Sequence, residues 1–250
     1  MRENRAKRKL NDGEVVTILQ GDGTADMIDF VGQLGVDGVW LEGEHGALSW
    51  EQIGNRSRAC DLWGMTSVTR VNKNDEGLIM RTLDRGSMGV VVPHVNSRIA
   101  ARQVVQAAKY APVGLRGMFG GRQSYGVENY FRQANDQTLV VVLIEELEAV
   151  QNLAEILTVE HIDVFLVAPS DLAQTMGHIG NHQHPEVQAT VDSALAQIVA
   201  AGKNAGTLVS DETVERYVAA GVSFLLTPWN LWVAKGARAF LEKVRSAAAS

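Results

Sequence analysis

Three observations predict an α/β chain folded as a single (β/α)8, or TIM, barrel over residues 1–250. Short runs rich in Val, Ile and Leu recur eight times, and each is followed by a longer stretch with helical spacing. The runs are continuously apolar rather than alternating, as strands covered on both faces are. No Gly-x-Gly-x-x-Gly follows the first run, where a doubly wound dinucleotide-binding sheet would need it. A nucleotide cofactor is therefore not expected.

The predicted strands are 15–19, 38–41, 66–71, 89–93, 139–145, 164–168, 205–209 and 224–227. Helical patterns cover 25–34, 50–63, 76–85, 98–110, 148–157, 186–201, 212–219 and 231–248. Punctuation agrees with periodicity. Ser49 stands where an N-cap belongs, Pro185 opens a helix, and Gly86, Gly202 and Gly221 fall just past helix ends. The first ten residues hold five bases and one acid without the apolar stretch of a secretory leader. They are expected to form a short solvated helix ending at Asn11-Asp12-Gly13, rather than an arm for RNA or lipid.

Composition narrows the function classes. A chain with 46% hydrophobic and 21% charged residues can bury a sizeable core, which excludes disorder, collagen and coiled coil. Its net charge of -6 argues against nucleic acid or an anionic membrane as partner, and no apolar run reaches the roughly 20 residues of a membrane span. Cys60 is the only cysteine, so neither an intrachain disulfide nor a cysteine zinc site is available, and a cytoplasmic address is expected.

In a barrel the active site forms at the C-terminal mouth, so polar residues that break an apolar run at that edge carry the information. Strand two ends in Glu42-Gly43-Glu44-His45-Gly46, strand three in Arg70, strand five in Glu145 and strand six in Pro169-Ser170-Asp171. Adjacent strands carry Glu145 and Asp171. Two bare carboxylates in one small volume repel unless a proton or cation intervenes, and a hard divalent ion such as Mg2+ or Mn2+ is the simplest mediator. The competing reading makes Asp171 a cap of the helix that follows it.

Arg70 offers a permanently charged fork to a carboxylate or a developing enolate oxygen, with a loop salt bridge as the alternative. His45, between Glu44 and Gly46, is the natural general acid/base. His94 follows Pro93 at the end of strand four, a second imidazole within reach of the mouth. His178, His182 and His184 lie in one loop, and their His-x-His spacing is that of a metal pair without an evident third ligand. No strand end supplies a lysine for a Schiff base. The loops after strands seven and eight lack a glycine-rich phosphate cradle, which disfavours a phosphorylated substrate.

At these residues the chain resembles the class II pyruvate-dependent aldolases of the HpcH/HpaI family. The segments that carry the likeness are 41–46 (LEGEHG), 70–75, 83–93 (LDRGSMGVVVP), 110–117 (YAPVGLRG), Ile144-Glu145, 168–172 (APSDL) and His184-Pro185. The resemblance implies that Glu145 and Asp171 hold Mg2+, Mn2+ or Co2+, that His45 is the acid/base tuned by Asp84, and that Arg70 stabilises the enolate. It further implies that Ala168, Pro169 and Ser170 contact the 2-oxo acid, with Glu42 and Glu44 placed behind the residues that touch metal and substrate. It also implies a homo-oligomer, a hexamer built as a trimer of dimers, that exchanges its C-terminal helices, with Trp229 and Trp232 either at the dimer core or packed within one subunit. The chain departs from the family at Glu42 (usually Asp), at Ala168 (usually Gly) and at Leu143, where the family has a substrate-contacting glutamine.

The expected reaction makes or cleaves a carbon–carbon bond between the enolate of pyruvate, or of hydroxypyruvate, and an aldehyde. One alternative keeps the enolate chemistry but condenses an acyl-CoA with a 2-oxo acid, as a citrate synthase on the same barrel does. Another is a barrel that binds a 2-oxo acid without turning it over.

Overall fold

The computed structural model describes residues 1–21 and 23–249. In chain order the elements are α1 (Arg5–Asn11), β1 (Val16–Gln20), α2 (Ala25–Gly32), β2 (Gly38–Glu42), α3 (Trp50–Leu62), β3 (Thr66–Arg70), α4 (Glu76–Asp84), β4 (Gly89–Val92) and α5 (Arg98–Ala108). A short 3-10 turn (Arg122–Ser124) precedes α6 (Tyr130–Gln137), β5 (Leu139–Ile144), α7 (Leu147–Gln151), α8 (Leu153–Ile156), β6 (Val164–Val167) and α9 (Pro169–Thr175). The chain closes with α10 (Pro185–Ala200), β7 (Ala205–Leu208), α11 (Val214–Ala219), β8 (Phe224–Pro228) and α12 (Trp229–Ala248). All strand pairs are parallel, and β8 returns to β1 to complete the predicted barrel.

Alternate residues of each strand point inward, and their side chains fill the barrel. Val16 and Ile18, Trp40, Val68, Val91, Val141 and Leu143, Leu166, and Phe224 and Leu226 form one buried interior cluster. The intervening residues, such as Val90, Val92, Val140, Val142, Phe165 and Val167, pack outward against the helices in a second core. Burial on both faces explains the unbroken apolar runs, each large side chain contributing about 1.5–3 kcal/mol. Helix starts are fixed by side chains that accept a backbone N–H of the first turn: Thr24 for α2, Ser49 in a full capping box with Gln52 for α3, Asp75 for α4 and Ser97 for α5.

The N-terminal helix corrects the expectation of a solvated segment. Ala6 and Leu10 are buried in the interior cluster, so α1 plugs the bottom of the barrel. Asn4 is 1% exposed and fully engaged: its Nδ2 donates to Met88 O and Gln137 O, and its Oδ1 accepts from Thr66 Oγ1 at 2.8 Å. The basic residues of this segment meet acids at the strand bottoms, Lys9 with Asp37 at 2.9 Å and Lys7 with Asp163 at 2.9 Å.

The pattern predicted over 148–157 is two short helices, α7 and α8, meeting at Asn152. At the other end of the chain, α12 has no buried residue and stands off the barrel. Trp229 at its start lies against Gly21 and Gly23 within the subunit, where a Cβ on either glycine would overlap the indole. Trp232 is 42% exposed, with its Nε1 donating to Asp211.

Candidate active site

The inward-facing positions above the hydrophobic layer belong to Glu42, Arg70, Glu145 and Ala168. Each stands two residues beyond an interior apolar side chain, Trp40, Val68, Leu143 and Leu166 respectively, so the period of a strand delivers all four to the mouth. Leu143 is packed beneath Glu145, 1% exposed, and adds a hydrocarbon floor where a glutamine would add hydrogen bonds.

Glu42 and Arg70 are register partners across β2 and β3. The carboxylate accepts from Arg70 Nε at 2.9 Å and lies 2.7 Å from Nη2, while Nη1 lies 2.8 Å from Glu44 Oε2. Glu42 also accepts from Trp40 Nε1 and from the peptide N–H groups of Glu44 and His45, so it folds the 43–46 loop over the strand end. Burial pushes its carboxyl pKa up, but the Arg70 hydrogen bonds and charge outweigh this and hold it below the usual carboxylate range. The extra methylene of glutamate over aspartate thus ends in a two-sided clamp on the guanidinium.

Glu145 is 1% exposed. Burial pushes its pKa up; the peptide N–H of His94 (2.8 Å) and the His94 charge oppose this, and the charges of Asp171 and Glu44 add to it, leaving a net rise. Asp171, in the first turn of α9, is therefore close enough to Glu145 for the two acids to interact, as expected of adjacent strands. The first turn of α9 has no side-chain cap: Ala168 is the N-cap and Pro169 the first helical residue, so Asp171 does not take the capping role.

His94 was placed by sequence only near the mouth, and the structure puts it at the centre of this acidic cluster. Its backbone turns into the left-handed region at φ 55°, which carries the imidazole back over the strand ends. Nδ1 lies 2.6 Å from Glu146 Oε1 and 3.5 Å from Glu145 Oε1, and Nε2 lies 3.4 Å from Glu44 Oε1. Partial burial disfavours the imidazolium, but Glu146, Glu145 and Glu44 together raise its pKa. Residue order assigned His94 no role beyond lining the mouth, and Glu146 was not singled out at all. The signal that pointed to them was only their position, one residue after Glu145 and one after Pro93.

His45 lies on the rim with a side chain 71% exposed, its Nε2 3.8 Å from Glu44 Oε2. Ser170 is exposed in the same first turn of α9 as Asp171. The structure does not bring Asp84 to this group. It ends α4, a helix that starts just after Arg70 and runs away from the mouth by roughly 13 Å, and its carboxylate is paired at 2.6 Å with the buried Arg116.

The mouth thus gathers the carboxylates of Glu42, Glu44, Glu145, Glu146 and Asp171 against Arg70 and His94. Arg70 is taken up by Glu42 and Glu44, while Glu145 is nearly dry and has the half-buried Asp171 near it. This donor set, carboxylate oxygens with the His94 imidazole among them, fits a divalent cation.

Residues 20–226 match the model of the family described as HpcH/HpaI aldolase/citrate lyase. The chain belongs to this family. A curated member, the 4-hydroxy-2-oxo-heptane-1,7-dioate aldolase of Salmonella heidelberg (strain SL476), is 37% identical over 196 residues, 76% of this chain and 74% of that protein. Among solved structures, an HpcH/HpaI aldolase/citrate lyase family protein from Burkholderia cenocepacia J2315 superposes with a TM-score of 0.90 at 26% identity, over 97% of this chain and 99% of that one. The citrate synthase SbnG gives 0.87 at 26% identity over 98% of both chains. The resemblance read from LEGEHG, Arg70 and APSDL and the barrel are thereby both borne out, and HpcH/HpaI members with this architecture are the frame for the site.

Proposed function

We propose that the protein is a metal-dependent carbon–carbon lyase, a class II aldolase that joins or separates a pyruvate-type enolate and an aldehyde. The observation that carries this reading is the Glu145–Asp171 pair. A carboxylate held almost dry beside a second one is costly in a folded protein, and it stands at the same barrel mouth as the Arg70 fork. Glu145 and Asp171 would hold the metal, of the Mg2+, Mn2+ or Co2+ class, and when bound it supplies the Lewis acidity that eases removal of a C3 proton from a 2-oxo acid.

The chain's own groups account for the rest. Arg70 spends three of its five N–H donors on Glu42 and Glu44, which fixes the plane of the guanidinium and leaves two for the developing enolate oxygen. Peptide groups of the first turn of α9, from Ala168 through Pro169 to Ser170, border the position of the substrate carboxylate. His45, exposed on the rim, moves the proton. Within one subunit Asp84 is at the far end of α4, so tuning of His45 by Asp84 has to come from a second copy.

Assembly into a homo-oligomer, a hexamer arranged as a trimer of dimers, suits α12. This helix exposes Leu231, Val233, Phe240, Leu241 and Val244 beside a groove of about 270 Å3 lined by Leu19, Leu34, Val209, Val214 and Leu225. Exchange of α12 between copies would cover both surfaces. Among the described residues no helix is long and apolar enough to cross a membrane, and a cytoplasmic address suits a chain whose single cysteine is buried and free.

Deuterium incorporation at C3 of pyruvate, followed by NMR with and without Mn2+, tests the reading, and an aldehyde panel then names the acceptor. Full aldol turnover in EDTA would defeat it. The likeness to SbnG and the hydrocarbon floor at Leu143 support a second reading, condensation of an acyl-CoA with a 2-oxo acid. Product analysis with acetyl-CoA separates the two.

A further inference from the structure

The connection between α9 and α10 holds a second group of metal-binding side chains that the chemistry above does not use. His178 follows the end of α9, and His184 is the residue before α10. Their imidazoles stack face to face, with 3.6 Å between ring centres and 15° between planes. Glu186, in the first turn of α10, brings Oε2 to 3.0 Å from His178 Nε2. One donor atom from each of the three residues lies within 4.8 Å of the other two. The sequence alone shows the His182–His184 spacing, but the fold pairs His178 with His184 instead and supplies the missing third ligand from Glu186.

The scaffold under these side chains is built from consecutive turns. His178 N donates to Ala173 O, Asn181 N to His178 O, and His184 N to Asn181 O, while Pro185 fixes the backbone between His184 and Glu186. Gln188 Nε2 donates to His182 O and ties the middle of the loop to α10. His178 offers Nε2, which already faces Glu186 Oε2, and His184 offers the Nδ1 lone pair that accepts from Glu186 N at 3.3 Å, a long cap bond that the ion would replace. A tetrahedral ion with bonds of about 2.0–2.1 Å needs its donors about 3.3 Å apart, a contraction within reach of side-chain rotation. Two imidazoles and a carboxylate select borderline ions of the zinc type, in contrast to the oxygen-rich mouth.

We propose that His178, His184 and Glu186 bind a Zn2+-type divalent ion that clips α9 to α10. The clip ties α10 to the C-terminal end of α9, the short helix whose first turn carries Asp171, so it steadies the seat of that residue without contacting the reacting atoms.

The test is calorimetric titration of Zn2+ into the full chain, its H178Q and E186Q variants, and each of these in an E145Q background that weakens the mouth. H178Q is preferred to a change at His184, because His184 Nδ1 accepts from Glu186 N and caps α10. The wild type is expected to bind one more Zn2+ per chain than H178Q, and the same difference persists in the E145Q background, which separates this clip from the proposed catalytic centre. E186Q is expected to lose the same equivalent or to bind it more weakly. Co2+ substitution gives tetrahedral d–d absorption that H178Q lacks, and Zn2+ raises the melting temperature of the wild type but not of H178Q. Equal Zn2+ stoichiometry and equal melting shifts in wild type and H178Q overturn the proposal, as does the absence of Zn2+ binding. Circular dichroism verifies that H178Q is folded, and E186Q decides the matter by the same stoichiometry if it is not.

Discussion

Glu42 and Arg70 face each other across β2 and β3, and the carboxylate of one grips the guanidinium of the other through Nε and Nη2 at 2.9 and 2.7 Å. Arg70 is thereby aimed before any substrate arrives. Arg70→Ala is expected to slow turnover by about 10²–10³ with the fold intact, the usual loss for one oxyanion donor. Arg70→Lys keeps the charge but not the fork, and recovers little of that loss. Glu42→Gln frees the guanidinium and lowers kcat in the same direction. Steady-state kinetics with melting curves on the same samples separate these effects from unfolding.

Glu145 sets function against stability. Its raised pKa means that the ionised form is disfavoured by burial and by Asp171, so at pH 7 the folded metal-free protein bears that cost. Glu145→Gln keeps a side-chain oxygen that can accept from the His94 N–H but removes the charge. We expect this variant to melt at a higher temperature than the metal-free wild type and to lose metal-dependent turnover. A lower melting temperature with metal dependence retained would contradict the role given to this residue.

His45 should behave oppositely. Its side chain is 71% exposed, with Nε2 3.8 Å from Glu44, so His45→Ala is expected to change stability by no more than about 0.5 kcal/mol. C3 proton exchange of pyruvate, followed by NMR, is expected to fall by about 10²–10⁴, the contribution of a positioned general base.

Lys109 gives the fold a pH dependence of its own. It is 2% exposed, its Nζ donates to Asn135 O and Thr138 O, and Lys7 Nζ donates to the same Thr138 carbonyl. Burial pulls its pKa down to about 7; the charges of Asp163 and Asp136 oppose this, and that of Lys7 adds to it. In the unfolded chain a lysine titrates near 10.4. Between about pH 7 and pH 10 the unfolded state therefore binds the extra proton, and this group makes stability rise with pH across that window. Urea unfolding at several pH values should show the rise in the wild type and a flatter profile in Lys109→Met, even though the variant is less stable throughout.

Much of this architecture could be read from residue order, and what could not has identifiable causes. All eight strands were legible: β4, β5 and β6 as apolar runs that burial on both faces leaves unbroken, β3 (TSVTR) and β7 (AGTL) through small and β-branched residues between helical stretches, with Glu42, Arg70 and Glu145 standing out as charges that end strands. The plug helix was misread as solvated because its buried face is only Ala6 and Leu10 among five bases. Helix α6 was missed because it begins at a left-handed Asn129 and offers few apolar residues, Tyr130 and Ala134 being the buried ones. His94 was underweighted because its role depends on one positive φ, which no periodicity reports. Tuning of His45 by Asp84 was implied by resemblance alone, and within one subunit α4 carries Asp84 away from the mouth, a separation that no motif in the sequence reports.

The barrel is stoppered by α1, and the stopper's partners follow much later in the chain. Lys7 hydrogen-bonds to Asp163 across a separation of 156 residues, which at about 5–20 residues per second is roughly 8–30 s of synthesis. During that interval Leu10 and its neighbours have no barrel floor to occupy. Helix α1 therefore waits, exposed, until β6 emerges, and anything that kept it from docking would delay closure of the barrel.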